Sequence, residues 1–431
     1  MGGPPLSSVP APTTRATHLD VDDHALGGPR RPLLAMPSAS RASSRPWWER
    51  DDPFWSPELW VRPPTWRFAS RQPPVQLTRP IGAPVVRWIP VPDFEVTRPR
   101  LLSTSPHVRR AVAVLAAWHH LSAKQLAAFL GYPGTKIGEI LRPMFKAGLV
   151  ERGRYGMGEV RYHTNYLYRL RDDKPLHDWL ATLPAAERLA VTAGRRLRVG
   201  GAHVRHDLLA AELGLRVMET QAGIQAVWGE SLCEAESLFD DPDAGSFRAD
   251  LGVVRGDGLR IVVELCQARQ RRDLEGKMAR WGRLLGRHTW DTSGTVVVFL
   301  NAKADSRDAD DHAKMAALLR RCHARSISAD GLAREGVRAR GTEVARARMQ
   351  IHLASWADWF PGPQVLSEEF ARLTTAYTRD GRTWERTDLA QSRQGLPFKP
   401  DLPGRWRAPE RARRSLLAAP PWLGGRIASR V

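Results

Sequence analysis

Two acidic residues of this 431-residue chain stand in strongly apolar surroundings, where a carboxylate is costly unless it is paired or binds a metal. Asp250 lies in a predicted strand at 247–254, and Glu264 ends the next one at 259–265. Gly-Asp-Gly between them predicts a hairpin turn. Carboxylates on adjacent strands can converge on Mg²⁺, which takes oxygen ligands and activates water against a phosphodiester. We therefore predict a metal site formed by Asp250 and Glu264.

The elements around this hairpin suggest a fold for it. A helix at 206–213 and the start of a strand at 215–218 are predicted before the hairpin. A helix at 273–285 follows the hairpin, and a buried strand is predicted at 295–300. This order resembles the core of the restriction-endonuclease-like nuclease superfamily. The resemblance implies an α/β (α+β) domain at 195–360, in which the acid pair is catalytic and Glu212, on the preceding helix, is an additional acid.

One position departs from that superfamily, which has a lysine two residues after the second acid. Cys266 occupies this position, so Lys277 or Arg269 from the following helix would have to supply the positive charge. Cys266 itself fits a core residue better than a nucleophile. The alternative is a degenerate domain that does not cleave, with its acids in surface salt bridges.

Upstream, residues 105–170 have the pattern of a winged helix-turn-helix. An apolar stripe marks a first helix near 108–118, and Ser122 is a suitable N-cap for a second at 123–130. A third helix is predicted from Thr135 to about residue 147, with Pro143 expected to kink it or end it early. Two short strands, at 148–152 and 160–163, flank a predicted turn at 154–158 and would form the wing.

This module predicts a duplex DNA interface, because its third helix would enter the major groove while the wing contacts phosphates. The predicted DNA-binding residues are the polar, mostly basic residues of the third helix and the wing. They are Thr135, Lys136, Arg142, Lys146, Arg152, Arg154 and Arg161. The alternative is a winged helix that binds protein.

The composition points the same way. Sixty-five Lys and Arg residues against 46 Asp and Glu residues give a formal net charge of +19, which favours a polyanionic partner such as double-stranded DNA. An Arg-rich genome is the alternative explanation. Three cysteines without a CxxC pair argue against a structural zinc site or a disulfide framework. With no long apolar run and no secretion signal, we expect a cytoplasmic protein that does not interact with membranes.

Both ends of the chain differ in composition from its middle. Nineteen of the 33 prolines fall within residues 1–100, which predicts a disordered or extended arm without a long helix or central strand. Six tryptophans in this arm favour a strap packed on the protein's own body, although they would also suit a protein partner or single-stranded nucleic acid. Residues 361–431 are predicted to be a Pro- and Arg-rich tail, with a helical stretch near 367–377.

Taken in order, these parts resemble the replication-relaxation family of plasmid and mobile-element proteins. The resemblance covers about residues 105–300. It is carried by the winged helix and by residues of the domain that follows it, namely His206, Asp207, Asp250, Glu264, Lys277 and Trp281. It implies a role in plasmid replication or mobilisation, with nicking or relaxing of origin DNA. The second acid of the family's motif after the strand is absent here, where Glu264 is followed by Leu-Cys-Gln.

Two rival chemistries lack their motifs. No His-x-His pair is present for a rolling-circle relaxase, and no phosphate-binding loop is present for an ATP-driven helicase. Two hypotheses follow: a DNA-binding replication or mobilisation protein that nicks DNA with Mg²⁺, and a non-catalytic DNA-binding regulator or scaffold with a degenerate nuclease domain.

Overall fold

A computed structural model of the chain shows mixed α and β structure with two sheets, which confirms the predicted α+β class. It describes the following residues: 47–56, 64–70, 86–90, 102, 104–132, 134–154, 166–192, 203–221, 223–239, 241–245, 247–267, 271–288, 294–303, 309–334 and 341–390. No helix among these residues is long and apolar enough to span a membrane.

The first sheet has five strands in the order β2-β1-β4-β5-β3 and packs with three helices. The strands are β1 Thr65–Ser70, β2 Val86–Pro90, β3 Leu121–Ser122, β4 Val150–Arg154 and β5 Leu167–Leu170. The helices are α1 Pro106–Trp118, α2 Ala123–Leu130 and α3 Gly134–Lys146. Strand β5 pairs antiparallel with both β3 and β4. Along the chain, the order is α1, β3, α2, α3 and then the hairpin of β4 and β5.

Local signals explain why these helices form. The Ser122 hydroxyl accepts a hydrogen bond from the backbone N–H of Gln125, whose side chain bonds back to Ser122, and this capping box starts α2. Gly131 ends α2 with a φ of 68°, a conformation that favours glycine. Helix α3 continues through Pro143 to Lys146, so the expectation that the helix ends early is wrong. Pro143 lies on the exposed face of α3. Water can therefore hydrogen-bond to the helix carbonyl that receives no N–H from this proline.

The N-terminal arm contributes to this sheet. Strand β1 pairs in parallel with β2 and antiparallel with β4, so it is a central strand in a region where none was expected. Its six residues contain no proline, which is why the proline-rich context does not prevent pairing. Trp66 is fully buried: its ring lies against Gly153 of β4, and the Arg169 guanidinium carbon lies 4.1 Å from the ring centroid.

Another arm segment, residues 47–56, packs on the body of the chain. Trp47 and Phe54 are buried, and Trp55 donates its indole N–H to the carbonyl of Phe360 at 3.0 Å. Arg50 is also fully buried. This segment, which we call the strap, therefore joins residues more than 300 positions apart in the sequence.

The second sheet has seven strands in the order β12-β11-β10-β9-β8-β7-β6. They are β6 Ile224–Gly229, β7 Leu251–Arg255, β8 Arg260–Cys266, β9 Thr295–Asn301, β10 Ile351–Ser355, β11 Thr374–Thr378 and β12 Trp384–Asp388. Strands β8, β9 and β10 are parallel, and the other neighbours are antiparallel. The predicted hairpin at 247–265 and the buried strand at 295–300 are confirmed as β7–β8 and β9.

Helices surround the second sheet or connect it to the first. They are α4 Lys174–Ala181, α5 Ala185–Thr192, α6 Val204–Thr220, α7 Ala235–Phe239, α8 Arg271–Arg287, α9 Ala309–Ser326, α10 Ala329–Arg334, α11 Gly341–Gln350, α12 Trp356–Trp359 and α13 Glu368–Arg372. Short 3-10 turns lie at Trp47–Glu49, Glu230–Leu232 and Pro242–Ala244. The central succession is α6, three antiparallel strands, α8 and a parallel strand, with α7 and two 3-10 turns between the first two strands.

Two boundaries differ from the sequence-based prediction. Residues 215–218, predicted as the start of a strand, lie inside α6, because this helix is buried on nearly all sides and its apolar run is not confined to one face. Residues 361–390, assigned to the tail, instead contribute α13, β11 and β12, and both strands join the second sheet. Leu389, which immediately follows β12, is fully buried, so the folded part of the chain continues well past residue 360.

Candidate active site and nucleic-acid interface

The two predicted catalytic acids lie side by side on neighbouring strands. Asp250 immediately precedes β7, Glu264 lies in β8, and the backbone N–H of Asp250 bonds to the Val263 carbonyl at 3.1 Å. The Asp250 carboxylate crosses to β8, where its Oδ2 accepts a hydrogen bond from the backbone N–H of Leu265 at 2.5 Å. Both acids are almost completely buried.

Glu264 is held by two side chains from α8. Lys277 donates from Nζ to Oε2 at 2.8 Å, and Trp281 donates from its indole N–H to Oε1 at 2.7 Å. Residues four apart share a helix face, so α8 presents both donors together. Of the two predicted substitutes for the missing lysine, Lys277 thus reaches the acid pair, while Arg269 falls outside the described residues.

A histidine that the predicted metal site did not include completes this arrangement. His206, in the first turn of α6, places Nε2 2.7 Å from Oδ1 of Asp250. The signal available in the sequence was the His206-Asp207 pair at the start of the helix that precedes the acid hairpin. Together His206, Asp250, Glu264 and Lys277 form a compact set, which we call the acid-pair site.

Charge controls the proton affinities of this site. Burial alone would raise the pKa of the Asp250 carboxyl, but His206 and Lys277 hold it below its ordinary value. Burial raises the pKa of the Glu264 carboxyl, with Lys277 acting in the opposite direction. Although burial alone would lower both values, Asp250 and Asp207 raise the pKa of His206, and Glu264 and Asp250 raise that of Lys277. Lys277 therefore stays protonated, and both His206 and Lys277 favour the ionised form of Asp250.

Glu212, predicted as an additional catalytic acid, lies elsewhere. It is six residues beyond His206, which turns it by about 240° around the helix axis. Its carboxylate is fully buried, accepts hydrogen bonds from Arg50 at 3.0 Å and forms an ion pair with Arg216 at 3.0 Å. Glu212 is thus part of the attachment of the strap and is not brought to Asp250 and Glu264.

Cys266 lies in the core. Its side chain is 3% exposed, and burial raises the pKa of its thiol. A protonated, inaccessible thiol is a poor nucleophile. Cys266 therefore fits the packing role assigned to it.

A second group of potential ligands adjoins the acid-pair site. His119, Asp207 and Glu230 each place one nitrogen or oxygen atom so that the three atoms lie within 4.8 Å of one another. His120 bonds to Asp207 through Nδ1 at 2.5 Å. Burial raises the pKa of Asp207 to about 7 and lowers that of His120 to about 3.

The predicted DNA-binding side chains divide into four groups. Lys136 and Arg142 are exposed on α3, and Lys146 and Arg154 are half-buried. Arg152 packs between two rings, with its guanidinium carbon 4.9 Å from the centroid of Phe145 and 4.6 Å from that of Tyr166. The Thr135 side chain and Arg161 lie outside the described residues.

A comparison with protein-family models, curated proteins and solved structures finds no match to this chain.

Proposed function

We propose that this chain is a DNA-binding protein that nicks duplex DNA with the help of Mg²⁺, in the replication or mobilisation of a plasmid or integrative element. The observation that carries the catalytic part is the convergence of Asp250, Glu264 and Lys277 at one buried point. The succession α6, β6, β7, β8, α8 and β9, with only short helical segments between β6 and β7, supports a restriction-endonuclease-like core. It puts Asp250 at the start of β7 and Glu264 on the antiparallel neighbour β8.

The donor set suits a hard cation. Each of the four carboxylate oxygens of Asp250 and Glu264 accepts one hydrogen bond, from His206, Leu265, Lys277 or Trp281. An ionised carboxylate has about four acceptor directions, so these oxygens retain capacity for a metal. When bound, Mg²⁺ would supply polarisation of the phosphodiester and activation of water.

The chain's own residues then have distinct roles. Lys277, which is 37% exposed, can direct its permanent charge toward a phosphate oxygen while it orients Glu264. Its raised pKa makes it an electrostatic group and not a proton acceptor. His206 holds one oxygen of Asp250 and keeps that carboxyl ionised, and Trp281 fixes the rotamer of Glu264 from the apolar side.

The arrangement of α1, β3, α2, α3, β4 and β5 supports a winged helix for duplex recognition, since a three-stranded antiparallel sheet flanks the helical triplet. Lys136 and Arg142 are exposed on α3, the helix that would enter the major groove, and Lys136 Nζ also lies 5.0 Å from the centroid of the Tyr132 ring. Arg152 is a weaker candidate for a DNA contact than its position on the wing suggested, because its guanidinium packs against two aromatic rings.

The catalytic proposal is tested by nicking of supercoiled plasmid in Mg²⁺ or Mn²⁺. We expect nicking by the wild type and a drop of at least about 100-fold in Asp250→Asn and Glu264→Gln, in line with removal of essential catalytic groups. Asp178→Asn, an exposed acid on α4, is the control and should keep full activity. Absence of metal-dependent nicking by the wild type would overturn the proposal.

A second candidate function, a non-catalytic DNA-binding regulator or scaffold, is favoured by the charge balance of the acid-pair site. His206 and Lys277 already neutralise both carboxylates, which is what a structural ion cluster requires. In that case Asp250→Asn and Glu264→Gln would lower the free energy of unfolding, and wild-type protein would bind DNA without nicking it.

The DNA-binding proposal has its own test. Arg142→Glu together with Arg154→Glu should weaken duplex binding. The slope of log K against log salt should become shallower by about one for each phosphate that the variant no longer neutralises. Arg334→Glu together with Arg372→Glu is the control, since it makes the same change in net charge at two exposed residues outside this module. Equal affinities and slopes in the two proteins would contradict the assignment.

A further inference from the structure

The group formed by His119, Asp207 and Glu230 lies where the two sheets' helices meet. His119 follows α1, Asp207 is in the first turn of α6, and Glu230 begins the 3-10 turn after β6. One of these elements belongs to the predicted DNA-binding module, and the other two flank the second sheet. A ligand held by all three would connect the two parts of the molecule.

The separations suit coordination of one ion. The Nδ1 atom of His119 lies 3.5 Å from Oε2 of Glu230, and one ligand atom from each of the three residues lies within 4.8 Å of the others. Ligands about 2.1 Å from a tetrahedral zinc ion are about 3.4 Å apart. The observed set is therefore slightly open, and small side-chain rotations would close it.

The charges also call for a cation. Asp207 bonds to the imidazole of His120, and Glu230 lies close to the imidazole of His119. In the described part of the chain, no lysine or arginine forms an ion pair with either carboxylate. Asp207 has a side-chain exposure of only 7%, whereas that of Glu230 is 33%. The group is thus buried at one end and open to solvent at the other, which provides a path for an ion.

A supporting contact is present as well. His120 bonds to Asp207 through Nδ1, which orients the carboxylate from behind, as outer residues around metal ligands do. The elements are also held close: a Cβ on Gly229 would lie 2.3 Å from the carbonyl oxygen of Ala117, so β6 meets the end of α1 backbone to backbone. The ligands are therefore positioned before any ion binds.

We propose that His119, Asp207 and Glu230 form a transition-metal site that binds Zn²⁺ and fastens α1 to α6 and β6. One imidazole nitrogen and two carboxylates suit zinc better than Mg²⁺, which prefers oxygen ligands alone. Three protein ligands leave a fourth position for water. This inference does not depend on nuclease activity, since the acid-pair site uses other residues.

The test uses the full chain without an affinity tag, stripped with a chelator and then titrated with Zn²⁺ alone. We expect one tightly bound Zn²⁺ per chain by elemental analysis and a higher unfolding temperature. At a free Zn²⁺ concentration about 100 times Kd, the folding equilibrium constant should rise about 100-fold. Co²⁺ in place of Zn²⁺ should give the visible absorption band of a site with nitrogen and oxygen ligands.

Variants separate this site from the others. Glu230→Gln and His119→Gln should weaken binding at least about 10-fold, and His120→Phe by about 10- to 100-fold. Glu230 is partly exposed, so its variant should fold even if a variant of buried Asp207 does not. His177→Gln, which alters an exposed histidine paired with Asp172, is the matched control.

The double variant Asp250→Asn and Glu264→Gln should keep its one Zn²⁺, because it alters only the acid-pair site. If the wild type binds no stoichiometric Zn²⁺, or if Glu230→Gln binds as tightly as His177→Gln, the inference is wrong. Absence of nicking in the double variant with zinc binding intact would leave this inference standing.

Discussion

Replacing Arg50 by methionine should destabilise the protein far more than replacing any exposed residue of the strap. Arg50 is fully buried and donates to both oxygens of Glu212 at 3.0 and 3.2 Å. It also bonds to both oxygens of Glu219 at 2.6 and 3.0 Å. Arg50→Met therefore removes one cation from two buried carboxylates while approximately filling the same space.

The magnitude follows from the charges of the cluster. Arg50 and Arg216 face Asp52, Glu212 and Glu219, so two cations face three buried carboxyl groups. Among these five residues, the variant leaves one cation for three buried carboxyl groups. Removing one partner of a buried ion pair typically costs about 3–5 kcal/mol. Because domains have net stabilities of about 5–15 kcal/mol, the expected decrease is a large fraction of the total.

Urea unfolding, followed by tryptophan fluorescence, gives the free energy of unfolding of each variant. Lys124→Met is the matched control, because Lys124 also tethers the strap, through an ion pair with Asp51 at 3.2 Å. That pair is partly exposed, at 26% and 41%, so its removal should cost about 1 kcal/mol or less. Trp47 and Trp55 in the strap should also become accessible to quenchers in Arg50→Met.

The effect should depend on pH in a defined direction. Without Arg50, burial raises the folded-state pKa of the carboxyls above their unfolded values, so the folded variant takes up a proton as the pH falls. The difference in stability between wild type and Arg50→Met should therefore be largest near pH 8 and smaller near pH 5. A destabilisation no larger than that of Lys124→Met, or one independent of pH, would refute this account of the strap.

Two other perturbations test the interior of the fold. Burial lowers the pKa of His323 to about 3, below the unfolded value near 6.5, so the contribution of the neutral imidazole to stability is full above pH 6.5 and is lost as the pH falls toward 3. His323→Leu should therefore reduce the drop in unfolding temperature between pH 7.5 and 5, whereas His177→Leu at an exposed site should not. Parallel pH profiles for the wild type and both variants would exclude the explanation. Gly229→Ala should lower the free energy of unfolding by at least about 1–3 kcal/mol, because the new Cβ would lie 2.3 Å from a backbone oxygen of Ala117 that cannot move aside. Gly223→Ala is the control, since a Cβ there has open space. Equal unfolding midpoints for the two variants would contradict the close contact.

Short-range signals in the sequence determined much of the fold. Helix α2 has the predicted bounds because Ser122, Gln125 and Gly131 act on their immediate neighbours. The hairpin at 247–265 and strand β9 likewise follow from turn residues and continuous apolar runs. The same patterns singled out Asp250 and Glu264, since a carboxylate within an apolar strand is conspicuous without any structure.

Tertiary structure alone decided which partners those residues have. Lys277 and Trp281 come from a helix, and His206 from another, so no local pattern pairs them with the acids. Glu212 suited a catalytic acid by its position, yet it bonds to an arginine 162 residues away. The pairing of β1 with β4 and of β11 with β10 was equally hidden, because strand partners depend on where the chain returns in space. Spacing along the chain sets a residue's local conformation, whereas its charge partners and its chemistry depend on contacts between distant segments.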